Sequence, residues 1–238
     1  MHYYRIATRL FSSQRALDAG RVEFVQATPA DLPQIVDMCL EGFSAIEPHL
    51  KAWKIGKEAR PLFELIGANA LKHRFSYKLI EQDSQELVGF RLFSLGRRDD
   101  PELQLDGMKL HPGVLGLAGM LDYLKKESFA QLPHINKLIR REITFVVPEL
   151  QRKGIANRLA HHGLDFPSLK ADGVQGLISE ASSLANQELL RKKGYRLIAQ
   201  VPQSYYDRHG IKLHDGTTTI KAYFKDIEDV IADLAKSQ

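Results

Sequence analysis

Residues 141–156 read REITFVVPELQRKGIA, and this stretch decides the fold. The β-branched and aromatic run at 141–147 predicts a buried strand, which Pro148 ends because proline cannot continue a central strand. A short basic loop follows, and the small residues Gly154 and Ala156 begin a helical pattern expected to reach about Asp165. A strand, a tight loop and a helix in this order are typical of an α/β domain.

The loop at 151–156 predicts a seat for a diphosphate. The first N–H groups of a helix lack partners and lie at the positive end of its dipole, and successive N–H groups in such a turn form an anion nest. Gly154 has no Cβ to block a close approach, and Arg152 and Lys153 add positive charge. The alternative is an ordinary strand-to-helix connection in which the glycine merely eases the turn.

The rest of the chain predicts one α/β domain with a mixed sheet. Hydrophobic alternation and turn signals place strands at 22–26, 75–82, 87–95, 141–147, 174–180, 195–201 and 219–224. Further helices are expected at 57–73, 114–131 and 184–193. Since no linker separates these elements, residues 21–238 form a single domain in this interpretation.

A first helix is expected to begin at Thr28, which can form a capping box with Asp31. Gly42 is expected to end this helix. The following residues, 43–50, are expected to form a loop, because the residue before Pro48 avoids helical geometry.

Composition bounds the class of protein. The net charge is +4 over 238 residues, and the basic residues are dispersed, which argues against a nucleic-acid binder. No stretch has the roughly 18 apolar residues of a membrane span. The lone Cys39 excludes an internal disulfide and is expected to pack in the core. The adjacent His161 and His162 point in different directions on a helix, so no metal site is assigned.

The first 20 residues differ from the rest. They are Arg-rich, contain Ser12 and Ser13, and have no acidic residue before Asp18. This composition fits a mitochondrial presequence, and the alternative is a basic N-terminus that remains on the protein. The expected location is therefore cytoplasmic or mitochondrial.

The segment at 145–156 resembles the acetyl-CoA signature of the Gcn5-related N-acetyltransferase superfamily, Gln/Arg-x-x-Gly-x-Gly/Ala after the fourth strand. The resemblance implies a mostly antiparallel mixed sheet flanked by helices, with acetyl-CoA as cosubstrate. In that family, backbone groups of the fourth strand hold pantetheine and polarise the thioester carbonyl. The residues that match the cofactor site are Phe145, Val146, Val147, Gln151, Arg152, Lys153, Gly154, Ile155 and Ala156.

Two other segments are similar to the arylalkylamine (dopamine-type) N-acetyltransferases of insects and nematodes. Gly42–Leu50 resembles their Phe-x-x-x-Glu-Pro-Leu loop, which makes Glu47 the candidate general base. Ser182 and Ser183 match a serine-bearing segment that supplies a proton to the leaving thiolate, although either could simply cap the next helix. His49 interrupts the Glu-Pro-Leu match, and Asn186 stands where the family has a second serine and is a candidate CoA contact.

These resemblances imply transfer of an acetyl group to a primary amine by direct attack on the thioester, with a small arylalkylamine as acceptor. The alternatives are another amine (a polyamine, an amino acid or a protein) or a CoA-binding module with weak catalysis. The expected partners are acetyl-CoA and a small amine, without nucleic acid, membrane or metal, and the pattern leaves the oligomeric state open.

Overall fold

The computed structural model describes residues 17–101, 109–213 and 216–236. Most of the basic N-terminal segment, which the sequence analysis interprets as a mitochondrial presequence or a retained N-terminus, lies outside the described residues. The description begins at Leu17, and a short 3-10 turn at Ala19–Arg21 leads into the first strand.

A seven-stranded sheet forms the centre of the domain. Its strands are β1 Val22–Gln26, β2 Tyr77–Glu81, β3 Leu87–Arg97, β4 Lys137–Val146, β5 Gly176–Ala181, β6 Arg196–Gln200 and β7 Lys221–Asp226. They are ordered β1-β2-β3-β4-β5-β7-β6, and β4 pairs with β5 in parallel whereas the other described pairs are antiparallel. The predicted mixed, mostly antiparallel sheet is confirmed.

Helices cover both faces of this sheet. They are α1 Leu32–Met38, α2 Ser44–Ile46, α3 Pro48–Trp53, α4 Arg60–Ala70, α5 Pro112–Gln131, α6 Ile155–Leu159, α7 Phe166–Ala171, α8 Leu184–Lys192, α9 Gln203–His209 and α10 Ile227–Ala235. The buried hydrophobic residues that the structure describes form three clusters: the first contains residues of α4 and α5, the second residues of α7, α8 and α10, and a smaller third one includes Phe129 and Ile178. Adjacent residues of β3 enter different clusters, Leu92 the first and Phe93 the second, as the alternation of a strand requires.

The helix that starts at Thr28 continues past its predicted end. The capping box is present, with the Thr28 N–H donating to Asp31 Oδ2 over 2.8 Å. Gly42 does not end the helix, because a π turn at Cys39–Phe43 carries the chain directly into α2. A Cβ on Gly42 would lie 2.7 Å from the Phe145 ring, so the glycine serves close packing and not termination.

The predicted loop at 43–50 is also wrong, since it is almost entirely helical. Glu47 has extended backbone geometry between α2 and α3, and its side chain accepts the Leu50 N–H as the N-cap of α3. Pro48 occupies the first position of that helix, where its missing N–H costs nothing. The proline therefore begins a helix at this point, and Glu47 is fixed by its cap.

The helix after the basic loop is shorter than predicted. α6 ends at Leu159, and Gly163, with φ of +65°, lies in the turns that follow. Pro167 lies in the first turn of α7, which Asp165 caps by accepting the Ser168 N–H. No helix among the described residues combines a bilayer-spanning length with sufficiently apolar composition.

Candidate functional site

The site is created where β4 and β5 separate. These parallel strands pair only at Ile139 with Leu177 and at Arg140 with Ile178, yet β4 continues to Val146 and β5 to Ala181. Beyond the last pair the two strands have no mutual ladder, so a cleft opens in the middle of the sheet. The facing edge of β4 therefore presents backbone groups that β5 does not satisfy.

Two cavities meet at this cleft. One, of about 310 Å³, extends to the loop at 151–156, and is called the loop-side cavity below. The other, of about 560 Å³, lies against α4 and α5 and is called the helix-side cavity. Both are lined by Phe43, Glu47, Glu142, Ile143, Glu180 and Ser182. Two molecules that enter from opposite sides would thus meet at these six residues.

The predicted diphosphate loop has the backbone geometry of an anion nest. Five successive N–H groups, those of residues 152–156, have no acceptor within the described part of the chain. Positive φ values at Arg152 (+59°) and Gly154 (+80°) turn the loop back on itself. Because α6 has only five residues, its dipole is short, and the local amides supply most of the attraction for an anion.

The positive φ at position 154 favours glycine, and the absence of a Cβ there leaves room for a ligand. A Cβ added to Gly154 would meet no protein atom within 4 Å, so the space in front of the loop is open. The side chain of Gln151 fixes the loop to β4 by donating from Nε2 to the Val146 carbonyl over 2.8 Å. The Lys153 ammonium donates to the Leu17 carbonyl, so its charge is held beside the loop.

The backbone of β4 corrects one of the sequence assignments. The Val147 N–H donates to the Val88 carbonyl over 3.0 Å and is not free to polarise a thioester. Amide groups alternate in direction along an antiparallel strand, so those of Phe145 also face β3. The same alternation directs the amides of Thr144 and Val146 toward the cleft. Of the three predicted strand residues, only Val146 directs its amide toward the cleft, and Thr144, which the sequence did not single out, does the same.

Glu47 lies at the junction of the two cavities. Its side chain is only 4% exposed, which rules out the solvated loop carboxylate that the sequence allowed. One oxygen accepts the Leu50 N–H over 2.6 Å, and the other is 3.0 Å from His49 Nδ1. The carboxylate is thus held in a single orientation by two donors.

His49 and Tyr206 extend this contact into a buried chain of hydrogen bonds. His49 is fully buried, its Nε2 is 2.9 Å from the Tyr206 hydroxyl, and that hydroxyl accepts the Ile220 N–H over 2.9 Å. Burial raises the pKa of Tyr206. A neutral imidazole with its proton on Nδ1 satisfies every partner, because it accepts from Tyr206 and donates to Glu47. His49, which looked like an interruption in the sequence, orients the carboxylate.

The two candidate serines have different positions. Ser183 is the N-cap of α8, with its hydroxyl accepting the Asn186 N–H over 3.4 Å. Ser182 lines both cavities, whereas Ser183 and Asn186 line only the loop-side one. Ser182 is therefore the serine at the junction of the two cavities, and Ser183 has the capping role.

Two carboxylates that sequence reasoning missed face each other across the cleft. Glu180 on β5 accepts from Arg140 Nη2 over 2.7 Å, and Glu142, at the β-bulge of β4, lies 3.5 Å from Arg140 Nε. The Ser94 hydroxyl donates to Glu142 over 2.6 Å. Burial raises the pKa of Glu180. One arginine shared by two carboxylates leaves this junction with a net negative charge.

Positive groups gather on the opposite side of the same strand. Arg91 and Arg141 line the loop-side cavity but not the helix-side one. Burial lowers the pKa of the neighbouring His161 to about 4, and Lys193 and Arg141 act in the same direction. The buried Nε2 of His161 has no partner among the described residues. The imidazole is therefore neutral in the folded protein at pH 7.

The sequence matches no protein-family model, and a search among curated proteins found no match. Solved structures are similar nonetheless. Arylalkylamine N-acetyltransferase 2 from Aedes aegypti superposes with a TM-score of 0.72 at 17% identity, over 87% of this chain and 99% of that one. A mosquito arylalkylamine N-acetyltransferase-like 5b gives 0.70 at 15%, over 86% and 99%. Drosophila melanogaster polyamine N-acetyltransferase gives 0.69 at 12%, over 86% and 99%.

The fold is that of the Gcn5-related N-acetyltransferases. At these identities the likeness establishes the fold and leaves the chemistry to be argued from the site. Within the described ranges of the chain, no group of three His, Cys, Asp or Glu residues is arranged to hold a metal ion.

The neutral, partly buried His161 predicts a loss of stability in acid. An unfolded histidine protonates near pH 6.5, whereas His161 does so only near pH 4. Between these values the unfolded chain binds the extra proton, so the free energy of unfolding falls as the pH drops. We expect His161→Gln to remove on the order of 2 kcal/mol of the loss between pH 7 and pH 4. Urea unfolding at several pH values measures it.

The exposed His134 supplies the matched control, because His134→Gln changes a solvated imidazole and should leave the pH slope as in the wild type. Parallel pH profiles for the wild type and His161→Gln would contradict the assignment of a neutral, partly buried imidazole.

Proposed function

We propose that this protein is an N-acetyltransferase that uses acetyl-CoA to acetylate a primary amine. The observation that carries the proposal is the combination of five free loop amides with a cleft that leads from them into the sheet. A diphosphate fits such amides, and the free edge of β4 beyond Arg140 is suited to the amide-bearing pantetheine arm. The loop-side cavity would hold acetyl-CoA and the helix-side cavity the amine.

Charge in the helix-side cavity favours a cationic acceptor. Glu47, Glu142 and Glu180 lie at its junction with the loop-side cavity, where Arg140 is shared by the last two. A site with net negative charge and apolar walls concentrates ammonium ions. The acceptor amine would therefore arrive protonated, with its nitrogen directed at the junction.

Chemistry at the junction follows from these positions. A primary ammonium has a pKa near 10 and must lose a proton before it can attack. Glu47, held by Leu50 and His49, would take that proton directly or through water. The amine nitrogen then bonds to the carbonyl carbon while the Val146 N–H stabilises the oxyanion. The carbon–sulfur bond breaks, the second proton lost by the nitrogen passes to the thiolate, and Ser182 would donate a hydrogen bond to the departing sulfur.

The shape of the helix-side cavity favours a small arylalkylamine. Phe43 and Phe63 pack edge to face in its wall with ring centroids 6.1 Å apart, and Leu117 also lines it. An aromatic ring on the substrate can join such a pair with favourable edge-to-face geometry. The similarity to the arylalkylamine N-acetyltransferase of Aedes aegypti supports the same choice.

A second acceptor class is supported by one feature of the same cavity. Asp100 and Asp122 also line it, so an acceptor with two amino groups could contact carboxylates besides those at the junction. Lys125 and Lys72 also line the cavity and reduce this attraction. We therefore place polyamines second. A panel of amines decides, with thiol release from acetyl-CoA as the measurement. Faster turnover of tryptamine or dopamine supports the aryl assignment, and turnover of spermidine or agmatine alone would overturn it.

We expect Glu47→Gln to lower kcat by about 10²–10⁴-fold, because the amide cannot accept the proton. The KM for acetyl-CoA should change little, since glutamine can still accept the Leu50 N–H. Steady-state kinetics over a pH range tests this. Glu64→Gln, at an exposed carboxylate of α4, is the matched control. An unchanged kcat in Glu47→Gln would remove Glu47 from the mechanism.

Two glycines with the same backbone conformation isolate the role of the loop. Gly154 and Gly173 have φ of +80° and +81°, and a Cβ on either meets nothing within 4 Å. Alanine at either position should therefore cost similar stability, about 1 kcal/mol. Only Gly154→Ala should weaken CoA binding, by about tenfold or more, because its methyl group faces the nest. Calorimetric titration with CoA measures this, and equal affinities in the two variants would contradict a diphosphate site at 151–156.

A further inference from the structure

Arg141 lines the loop-side cavity and is buried without a carboxylate partner among the described residues. The residue is only 8% exposed, and its Nε and Nη1 atoms have no hydrogen-bond acceptor among the described residues. Its guanidinium lies between two rings, 5.6 Å from the centroid of Phe93 and 5.6 Å from that of Tyr195. An unpaired, desolvated charge destabilises a folded protein strongly.

The groups around Arg141 make the local charge more positive. Arg91 also lies against the Phe93 ring, 4.3 Å from its centroid. Arg91 is accounted for structurally, because it donates to the carbonyls of Leu159, Phe75 and His162. Those carbonyls are neutral and leave its charge uncompensated. Burial lowers the pKa of Arg91 to about 9, and Arg141 acts in the same direction.

Two lysines near Arg141 add positive charge to this side of the strand and do not neutralise the arginine. Lys225 is buried and approaches the Tyr195 ring to 5.9 Å, and its partner Asp233 lies 2.6 Å away on α10. Lys193 donates to Asn157, which is uncharged. No carboxylate of the described residues forms an ion pair with Arg141. The cluster of Arg91, Arg141, Lys193 and Lys225 therefore carries positive charge that Asp233, paired with Lys225, neutralises only in part.

The position of Arg141 along β4 identifies where a bound anion would belong. Arg141 directly follows Arg140, the last β4 residue paired with β5, so it lies at the apex of the cleft. The amide of Thr144 is three residues further along, about 10 Å by the rise of a strand. An acyl chain whose thioester reached Thr144 or Val146 would extend toward the apex. A short acyl chain and the arginine side chain together could cover the distance from Thr144 to Arg141.

We propose that Arg141 binds a carboxylate at the far end of the acyl chain, so that short dicarboxylic acyl thioesters such as succinyl-CoA serve as donors. This inference rests on the proposed function, because it requires a CoA thioester in the loop-side cavity. The amine nitrogen bonds to the thioester carbonyl carbon, the carbon–sulfur bond breaks, one ammonium proton passes to the base and another reaches the thiolate. The amide product carries a free carboxylate.

Binding of matched thioesters to the full chain tests the proposal. Succinyl-CoA and butyryl-CoA have four-carbon acyl chains and differ in a terminal carboxylate against a methyl group. Calorimetric titration should show succinyl-CoA binding at least about tenfold more tightly, as expected for a buried arginine–carboxylate pair. In Arg141→Gln that ratio should fall to one or below. The exposed Arg191 of α8 gives the control, and Arg191→Gln should keep the wild-type ratio.

The outcomes separate this proposal from the one it rests on. Acetyl-CoA binding with a wild-type succinyl-to-butyryl ratio of one or less would overturn the carboxylate site alone, as would a ratio that Arg141→Gln leaves unchanged. Failure of all three thioesters to bind would overturn the proposed function together with it.

The Tm of the ligand-free protein distinguishes a ligand-binding role of Arg141 from a structural role. Arg141→Met removes an unpaired buried charge and retains an apolar stem of similar length, so Tm should rise by a few degrees. A fall in Tm would show that Arg141 stabilises the fold and would contradict its assignment to a ligand.

Discussion

The divergence of β4 from β5 is the constraint on which the rest of the structure depends. Two parallel strands pair at Ile139 and Arg140 and then separate, although both continue. Backbone groups exposed in this way must find partners, and in a folded domain those partners are water, side chains or a ligand. Gln151 takes one of them, the carbonyl of Val146, and so ties the anion nest to the same strand edge. The loop and the cleft therefore form one continuous polar track.

The divergence also gives the two sides of β4 opposite charges. Adjacent residues of the strand point to opposite faces, so Arg140 joins Glu142 and Glu180 on one side, whereas Arg141 joins Arg91 on the other. A β-bulge at Glu142 interrupts the alternation and keeps that carboxylate on the side of Arg140. A cationic acceptor and an anionic donor are thereby directed to opposite openings, and they meet only where the two cavities join.

The local pattern around the loop was predictable, whereas contacts between distant segments were not. The strand at β4, the turn at Gly154 and the capping box at Thr28 are local and were confirmed by the structure. The π turn after α1 was missed because glycine usually signals a helix end, and here it accommodates the Phe145 ring from another element. Nothing in the sequence pairs His49 with Tyr206, which lies 157 residues further along the chain.

Hydrogen–deuterium exchange with and without acetyl-CoA tests the central claim most directly. The amides of residues 152–156 have no acceptor, and those of Thr144 and Val146 face the cleft, so all should exchange fast in the free protein. If the loop and the edge of β4 hold the cofactor, saturating acetyl-CoA will slow exchange at these amides more than anywhere else in the sheet. Unchanged exchange at both segments, with acetyl-CoA shown to be bound, would contradict the account.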